Sequence, residues 1–292
     1  MQSKDRAMLK VCGLTREEDV RLVRDLGVSA AGFILAPSPR RVSRGRLREL
    51  VGVLRRPPGS GESGSGGSGF AESGFAESDS GRSVGPSSAF GIPLAIGVFG
   101  DATVDEIAEV AVEAELDGIQ LHGATSLEEI RELRGRLEDV VLIKALGVEA
   151  EPPAAAQPPR EPGQAAADKP AGQAARLAEK AAELEGLVDL ILLDTRVTGG
   201  SGGTGVTFPW PLALALGPEP PYLVAGGIGP QNLCLALKET GAAGADVSSG
   251  IESAPGIKDH GMLRDLVDVW RNCPRPPRGA VSAELVRGKG RA

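Results

Sequence analysis

Apolar runs of strand length alternate with helix-patterned segments along this 292-residue sequence, and that alternation leaves few folds open. The runs end near Cys12, Phe33, Val98, Leu121, Leu146, Asp194, Ala225 and Ser248. Helical periodicity falls between them over residues 16–26, 43–55, 103–115, 125–137, 173–186, 230–240 and 259–271, with a short helix near 210–217. Caps mark the helix starts: Thr103 precedes Val104-Asp105-Glu106, and Ser126 precedes Leu127-Glu128-Glu129. Eight such units, all compatible with parallel pairing, predict an α/β fold, a closed (β/α)8 TIM barrel. An open doubly wound sheet is the alternative, but no dinucleotide fingerprint follows the first strand.

Three stretches fall outside the pattern. Residues 57–91 are rich in Gly and Ser and carry a near-repeat, SGFAE twice over residues 68–77. Such a segment buries too little to offset its ordering entropy and reads as a disordered insertion. It joins a helix to the third strand, so it belongs on the bottom face. Residues 148–172 are rich in Pro and Ala and read as a second, stiffer insertion. It follows the fifth strand, on the catalytic face. Residues 273–292 look like a loose tail. The expected organisation is one barrel domain over 1–272, interrupted twice. Its core of roughly 210 residues is enough for a barrel.

Composition narrows the function classes. The net charge of −7 argues against a nucleic-acid partner. No apolar run reaches the roughly 18 residues of a membrane span. The start, MQSKDRAMLKV, has no signal-peptide core, so a cytoplasmic protein is expected. Three cysteines at wide spacing, Cys12, Cys234 and Cys273, show no disulfide framework or zinc pattern. Two histidines are too few for a His-rich metal site, and no metal is expected.

The strand ends carry the chemistry, because in a barrel they converge on one face. Cys12, before Gly13, is a candidate catalytic group, although a free Cys is often just a small buried side chain. Lys10 shares its parity and would favour a thiolate. Asp194 ends the run Leu190 to Leu193, and the next helix lies some fifteen residues on, so it is no adjacent cap. A carboxyl near apolar walls keeps a raised pKa and can act as a general acid. Gln120 and His122 share parity and should both face the pocket, whereas the parity of Lys144 is open. Arg40, or its neighbour Arg41, can hold a carboxylate from the loop after strand two. Three glycine or serine clusters follow strands six, seven and eight: the loop around Gly203, then Gly226 and Gly227, then Ser248 and Ser249. Barrels commonly hold phosphate there. Lys10 and Asp246 become neighbours only if the barrel closes, and would then neutralise each other below the pocket.

In order, KVCGLT, GFILAPSPRRVS, IGVFGD, GIQLHG, LIKALGV, LLDT, GGTGVTFPW, VAGGIGPQN and DVSSGIESAPGIKD resemble the phosphoribosylanthranilate isomerase family. The resemblance covers nearly the whole chain outside the insertions and tail. It implies a barrel of tryptophan biosynthesis that turns N-(5-phosphoribosyl)anthranilate into 1-(2-carboxyphenylamino)-1-deoxyribulose 5-phosphate. That Amadori rearrangement is an aldose-to-ketose isomerisation without a cofactor. The resemblance makes Cys12 the general base and Asp194 the general acid. Arg40 holds the anthranilate carboxylate, and Gly203, Gly226, Gly227, Ser248 and Ser249 cradle the phosphate. The expected partner is a small phosphosugar, and the expected state a monomer or homodimer. The chain departs from the family in having Pro209 before Trp210, where Asp is common; Pro suits the first turn of the following helix. A barrel isomerase of histidine biosynthesis would have a carboxylate in place of Cys12. A binding or scaffold protein would not need Cys12 and Asp194 intact.

Overall fold

The strands expected from the apolar runs form one closed parallel barrel in a computed structural model, which describes residues 7–57, 91–150, 168–196 and 207–274. The repeat begins with β1 (Met8–Cys12), α1 (Glu17–Leu26), β2 (Ala30–Ile34) and α2 (Arg44–Arg55). It continues with β3 (Leu94–Phe99), α3 (Val104–Glu113), β4 (Gly118–Leu121), α4 (Leu127–Arg136) and β5 (Val141–Glu149). Next come α5 (Asp168–Leu184), β6 (Leu190–Arg196), a 3-10 helix (Trp210–Ala215), β7 (Tyr222–Val224), α6 (Leu233–Thr240) and β8 (Gly244–Val247). A 3-10 turn (Ser249–Ile251) and a small hairpin, β9 (Glu252–Ala254) with β10 (Ile257–Lys258), precede α7 (His260–Asn272).

Alternation along each strand sorts two cores. Met8, Ala30, Leu94, Ile96, Val141, Ile143, Leu190, Leu192, Leu223 and Ala225 pack together inside the barrel. Leu9, Val11, Ala31, Phe33, Leu142, Leu146, Ile191 and Leu193 face the helices. The helices begin where the caps stand. Thr103 with Glu106, and Ser126 with Glu129, form reciprocal capping boxes at α3 and α4.

Closure is made by β1 and β8, which pair in parallel with Lys10 opposite Asp246. Lys10 Nζ donates to Asp246 Oδ2 at 2.9 Å with the lysine fully buried, the pair expected from parity. Burial alone would lower the lysine pKa, but the Asp246 carboxylate and the Cys12 sulfur outweigh it and hold it above the ordinary value.

Several boundaries differ from the sequence reading. Residues 148–149 complete β5 and 168–172 open α5, so less of 148–172 interrupts the barrel than its composition suggested. Pro170 sits in the first turn of α5, where a missing N–H breaks no helix bond. The segments 58–90, 151–167 and 275–292 lie outside the described residues. The segment near 210–217 is a 3-10 helix for which Pro209 is the N-cap, just outside the first turn, and Pro211 the early helical proline. Cys234 and Cys273, 39 residues apart, form a disulfide with Cα atoms 5.3 Å apart, against the expectation of no pairing. Only the packing of α6 beside α7 brings them together, and spacing in the sequence does not reveal that.

The buried pair sets a test of closure. Lys10→Met leaves the Asp246 charge without its partner inside the barrel and should cost about 3–5 kcal/mol in urea unfolding. A loss below about 1 kcal/mol would show that the pair does not hold the seam.

Candidate functional site

Strand polarity brings the ends of β1, β4, β6, β7 and β8 to one rim. Cys12 closes β1, with the inward parity of Met8 and Lys10, and is almost wholly buried. Its sulfur lies over β2 at Gly32. A Cβ there would meet Cys12 Sγ at 2.8 Å and Lys10 Nζ at 3.1 Å, so only glycine leaves room for both. Sequence reading passed over Gly32, because its role is a close approach rather than a turn.

Asp194 stands on β6 with the parity of Leu190 and Leu192, and therefore points inward three strands away from Cys12 around the barrel. Its Oδ2 is 3.5 Å from His122 Nε2, and His122 Nδ1 is 3.3 Å from Gln120 Nε2. Gln120 and His122 thus share the rim with Asp194, as their parity implied. Lys144 does not. It has the outward parity of Leu142 and Leu146, and its ammonium donates to the Gly123 carbonyl at 2.7 Å, bracing the end of β4.

Burial governs both candidate catalytic groups. It raises the Asp194 pKa, and Asp246 adds to the rise while His122 and Lys10 oppose it. It raises the Cys12 pKa too, and here Lys10 and Lys258 offset it only in part. Lys10 does favour the thiolate, as its parity suggested, but desolvation wins and the resting group is a thiol.

Arg40 reaches the rim and Arg41 does not. Arg41 is exposed, bridged through its backbone to Ile34. The Arg40 side chain runs beside Gly13 and forms an ion pair with Glu252, Nη2 to Oε2 at 2.7 Å. Burial alone would raise the Glu252 pKa, but Arg40 and Lys258 outweigh it and lower it. Glu252 and Lys258 flank the turn at Pro255-Gly256 in the hairpin. That Pro-Gly pair was a readable turn signal, but the charges across it were not read as a unit.

The loops after β7 and β8 lie on the same rim. Gly226 and Gly227 have positive φ, +84° and +66°. A side chain on Gly226 would also run into Thr195 Oγ1, which accepts from the Phe208 N–H at 3.2 Å. Asn232 shapes the first loop, accepting from the Gly229 N–H and donating to the Gly227 carbonyl, both at 2.9 Å. Ser248 and Ser249 follow β8 directly, and the Ser248 carbonyl accepts from Lys258 Nζ at 3.1 Å. Gly203 lies outside the described residues. Among the described residues, no group of three or more His, Cys, Asp or Glu is placed to hold a metal ion. No described helix is long and apolar enough to cross a membrane.

Comparison with known proteins follows the same lines. A family model described as N-(5'-phosphoribosyl)anthranilate (PRA) isomerase matches residues 167–269. The N-(5'-phosphoribosyl)anthranilate isomerase of Rhodospirillum rubrum is 31% identical over 269 residues, 90% of this chain and 97% of that protein. The protein of the same name from Thermosynechococcus vestitus is 30% identical over 263 residues, 90% of this chain and 89% of that one. The crystal structure of phosphoribosyl anthranilate isomerase from Thermus thermophilus superposes with a TM-score of 0.61 at 28% identity, covering 91% of this chain and all of that one.

The raised Asp194 pKa carries a stability cost with a definite sign. The protonated carboxyl favours the folded state, and that contribution is lost as pH rises from the unfolded value through the raised native one. Asp194→Asn is neutral at every pH. Its urea midpoint at pH 7 should exceed that of the wild type, and the gain should vanish below the unfolded carboxylate pKa. A variant no more stable at pH 7 would contradict the assignment of burial as the cause.

Proposed function

The chain belongs to the N-(5'-phosphoribosyl)anthranilate isomerase family, and from that premise we propose how its own residues carry out the isomerisation. The reaction is the conversion of N-(5-phosphoribosyl)anthranilate to 1-(2-carboxyphenylamino)-1-deoxyribulose 5-phosphate in tryptophan biosynthesis. The observation that carries the reading is the placing of an inward thiol and an inward carboxyl on the same rim, at the ends of β1 and β6.

Asp194, whose pKa burial raises, delivers a proton to the ribose ring oxygen as the ring opens to a Schiff base. The resulting iminium acidifies the hydrogen on C2. Cys12, as the thiolate, removes it to give an enolamine. The thiol so formed returns a proton to C1 while the Asp194 carboxylate takes the proton of the C2 hydroxyl, so the ketone forms and both groups are restored. The iminium is itself the electron sink, so the step needs no electron-accepting cofactor. Its positive charge, added to those of Lys10 and Lys258, favours the thiolate that burial disfavours. Ring opening, which creates the iminium, thus helps to make the base.

The two ends of the substrate are held apart. Arg40 takes the anthranilate carboxylate. Backbone N–H groups at Gly226, Gly227, Ser248 and Ser249, with the loop around Gly203, take the phosphate. Gln120 and His122 line the wall beside Asp194. Asp246 Oδ1 and Gln120 Oε1 are buried with no hydrogen-bond partner among the described residues, and a sugar hydroxyl is a donor that suits either. One chain supplies every one of these residues, so the chemistry is complete in a monomer and compatible with a homodimer. The setting we propose is the cytoplasm. Cys234 and Cys273, joined by their disulfide, do not belong to the site.

Direct turnover with phosphoribosylanthranilate tests the reading. Cys12→Ser and Asp194→Asn should each lower kcat by about 10²- to 10⁴-fold. Affinity for the ketone-reduced product should stay within about threefold, because its phosphate and carboxylate are held elsewhere. The wild-type rate should fall on both sides of a pH optimum, as acid and base leave their working states. Single variants with near-wild-type kcat would remove the assignment. Variants that lose binding as much as turnover would point to structural roles.

A further inference from the structure

Glu252 is a buried carboxylate at the rim to which the chemistry above gives no task, only 4% exposed at its side chain. It grips one edge of a guanidinium. Arg40 Nε donates to Glu252 Oε1 at 2.9 Å and Oε2 at 3.0 Å, and Arg40 Nη2 donates to Oε2 at 2.7 Å. Arg has five N–H groups in a planar fork. The edge formed by Nη1 and the second hydrogen of Nη2 remains, and no described residue accepts from Nη1. A second carboxylate fits that edge with two parallel hydrogen bonds.

Glu252 is itself held from behind. The fully buried Lys258 donates to Oε1 at 2.8 Å and to the Ser248 carbonyl at 3.1 Å, and the Gly256 N–H reaches Oε1 at 3.3 Å. The hairpin carrying both residues is pinned to the barrel. Thr15 Oγ1 donates to the Gly256 carbonyl at 2.6 Å, and the buried Asp19 accepts from the Lys258 N–H at 3.2 Å. Lys258 balances the Glu252 charge, so Arg40 keeps a net attraction for a further anion. The same lysine touches the loop after β8. One set of side chains therefore links the carboxylate end of the site to the phosphate end.

We propose that Glu252 is a positioning residue: braced by Lys258, it fixes Arg40 by its Nε edge and presents the opposite edge to the carboxylate of the substrate. This rests on the reading that Arg40 receives that carboxylate. The opposing account makes Glu252 an occupant of the anion site that the substrate must displace. The two differ in sign, since loss of the Glu252 charge weakens carboxylate recognition in the first and strengthens it in the second.

Calorimetric titration of the full chain with two stable probes separates them. One probe is the ketone-reduced product, and the other is the same molecule without its ring carboxylate. The readout is the ratio of their dissociation constants on each variant. A partly unfolded sample lowers the stoichiometry and leaves the ratio unchanged. The wild type should prefer the carboxylate-bearing probe, and Glu252→Gln should reduce that preference about tenfold, with binding of the carboxylate-free probe held within about threefold. A merely structural role would weaken both probes alike and leave the ratio standing, which would overturn the proposal. An enhanced preference in Glu252→Gln would overturn it in favour of the occupant account. Arg40→Met keeps the two failures distinct. If it retains the preference, Arg40 is not the carboxylate's partner and both readings fall. If it abolishes the preference while Glu252→Gln retains it, only the positioning role falls.

Discussion

One buried ion pair, Lys10 with Asp246, underlies both the fold and the chemistry. It spans the seam between the first and last strands, where closure either happens or fails. Both side chains point into the barrel below the rim, and unpaired they would be among its costliest groups. Their field also reaches upward. Lys10 favours ionisation of both Cys12 and Asp194, whereas Asp246 opposes it. The seam and the two candidate catalytic groups therefore share one set of charges. A change made for stability at Lys10 also changes the electrostatics of Cys12 and Asp194.

A second tension runs through the rim. Burial raises the pKa of Asp194, which suits an acid, and that of Cys12, which opposes a base. No single degree of desolvation serves both. The proposed mechanism separates the two demands in time: burial favours the thiol, and the cationic intermediate would draw out the thiolate at the step that needs it. Around them, Arg40, Glu252 and Lys258 alternate in sign, so three charges sit at low exposure with one positive charge left over for an anion.

What was legible in the sequence was whatever depends on strand parity and on strand ends. Cys12, Asp194, Gln120, His122 and the Lys10–Asp246 pair all follow from counting by twos along an apolar run. The caps at Thr103 and Ser126 follow from local hydrogen-bonding chemistry. Parity did not settle Lys144, because apolar residues line both faces of β5 and either face reads as a core. What was lost depends on neighbours far away in sequence. The Arg40–Glu252 pair joins residues 212 apart, and the Cys234–Cys273 bond depends on how two helices lie side by side. Gly32 is visible only once Cys12 and Lys10 are seen to cross over it. The Pro- and Ala-rich stretch misled at its edges, since composition does not mark where β5 stops or α5 starts.

The central claim is spatial: Cys12 and Asp194, three strands apart on one rim, act on one substrate whose ends are held by separate parts of that rim. A crystal structure with the ketone-reduced product tests it most directly. The account places C2 against Cys12 Sγ, the carboxyl of Asp194 within hydrogen-bond reach of the former ring oxygen, the phosphate at Gly226, Gly227, Ser248 and Ser249, and the ring carboxylate on Arg40. A ligand bound end for end, with its phosphate on Arg40, or one whose C2 lies out of reach of Cys12, would contradict it.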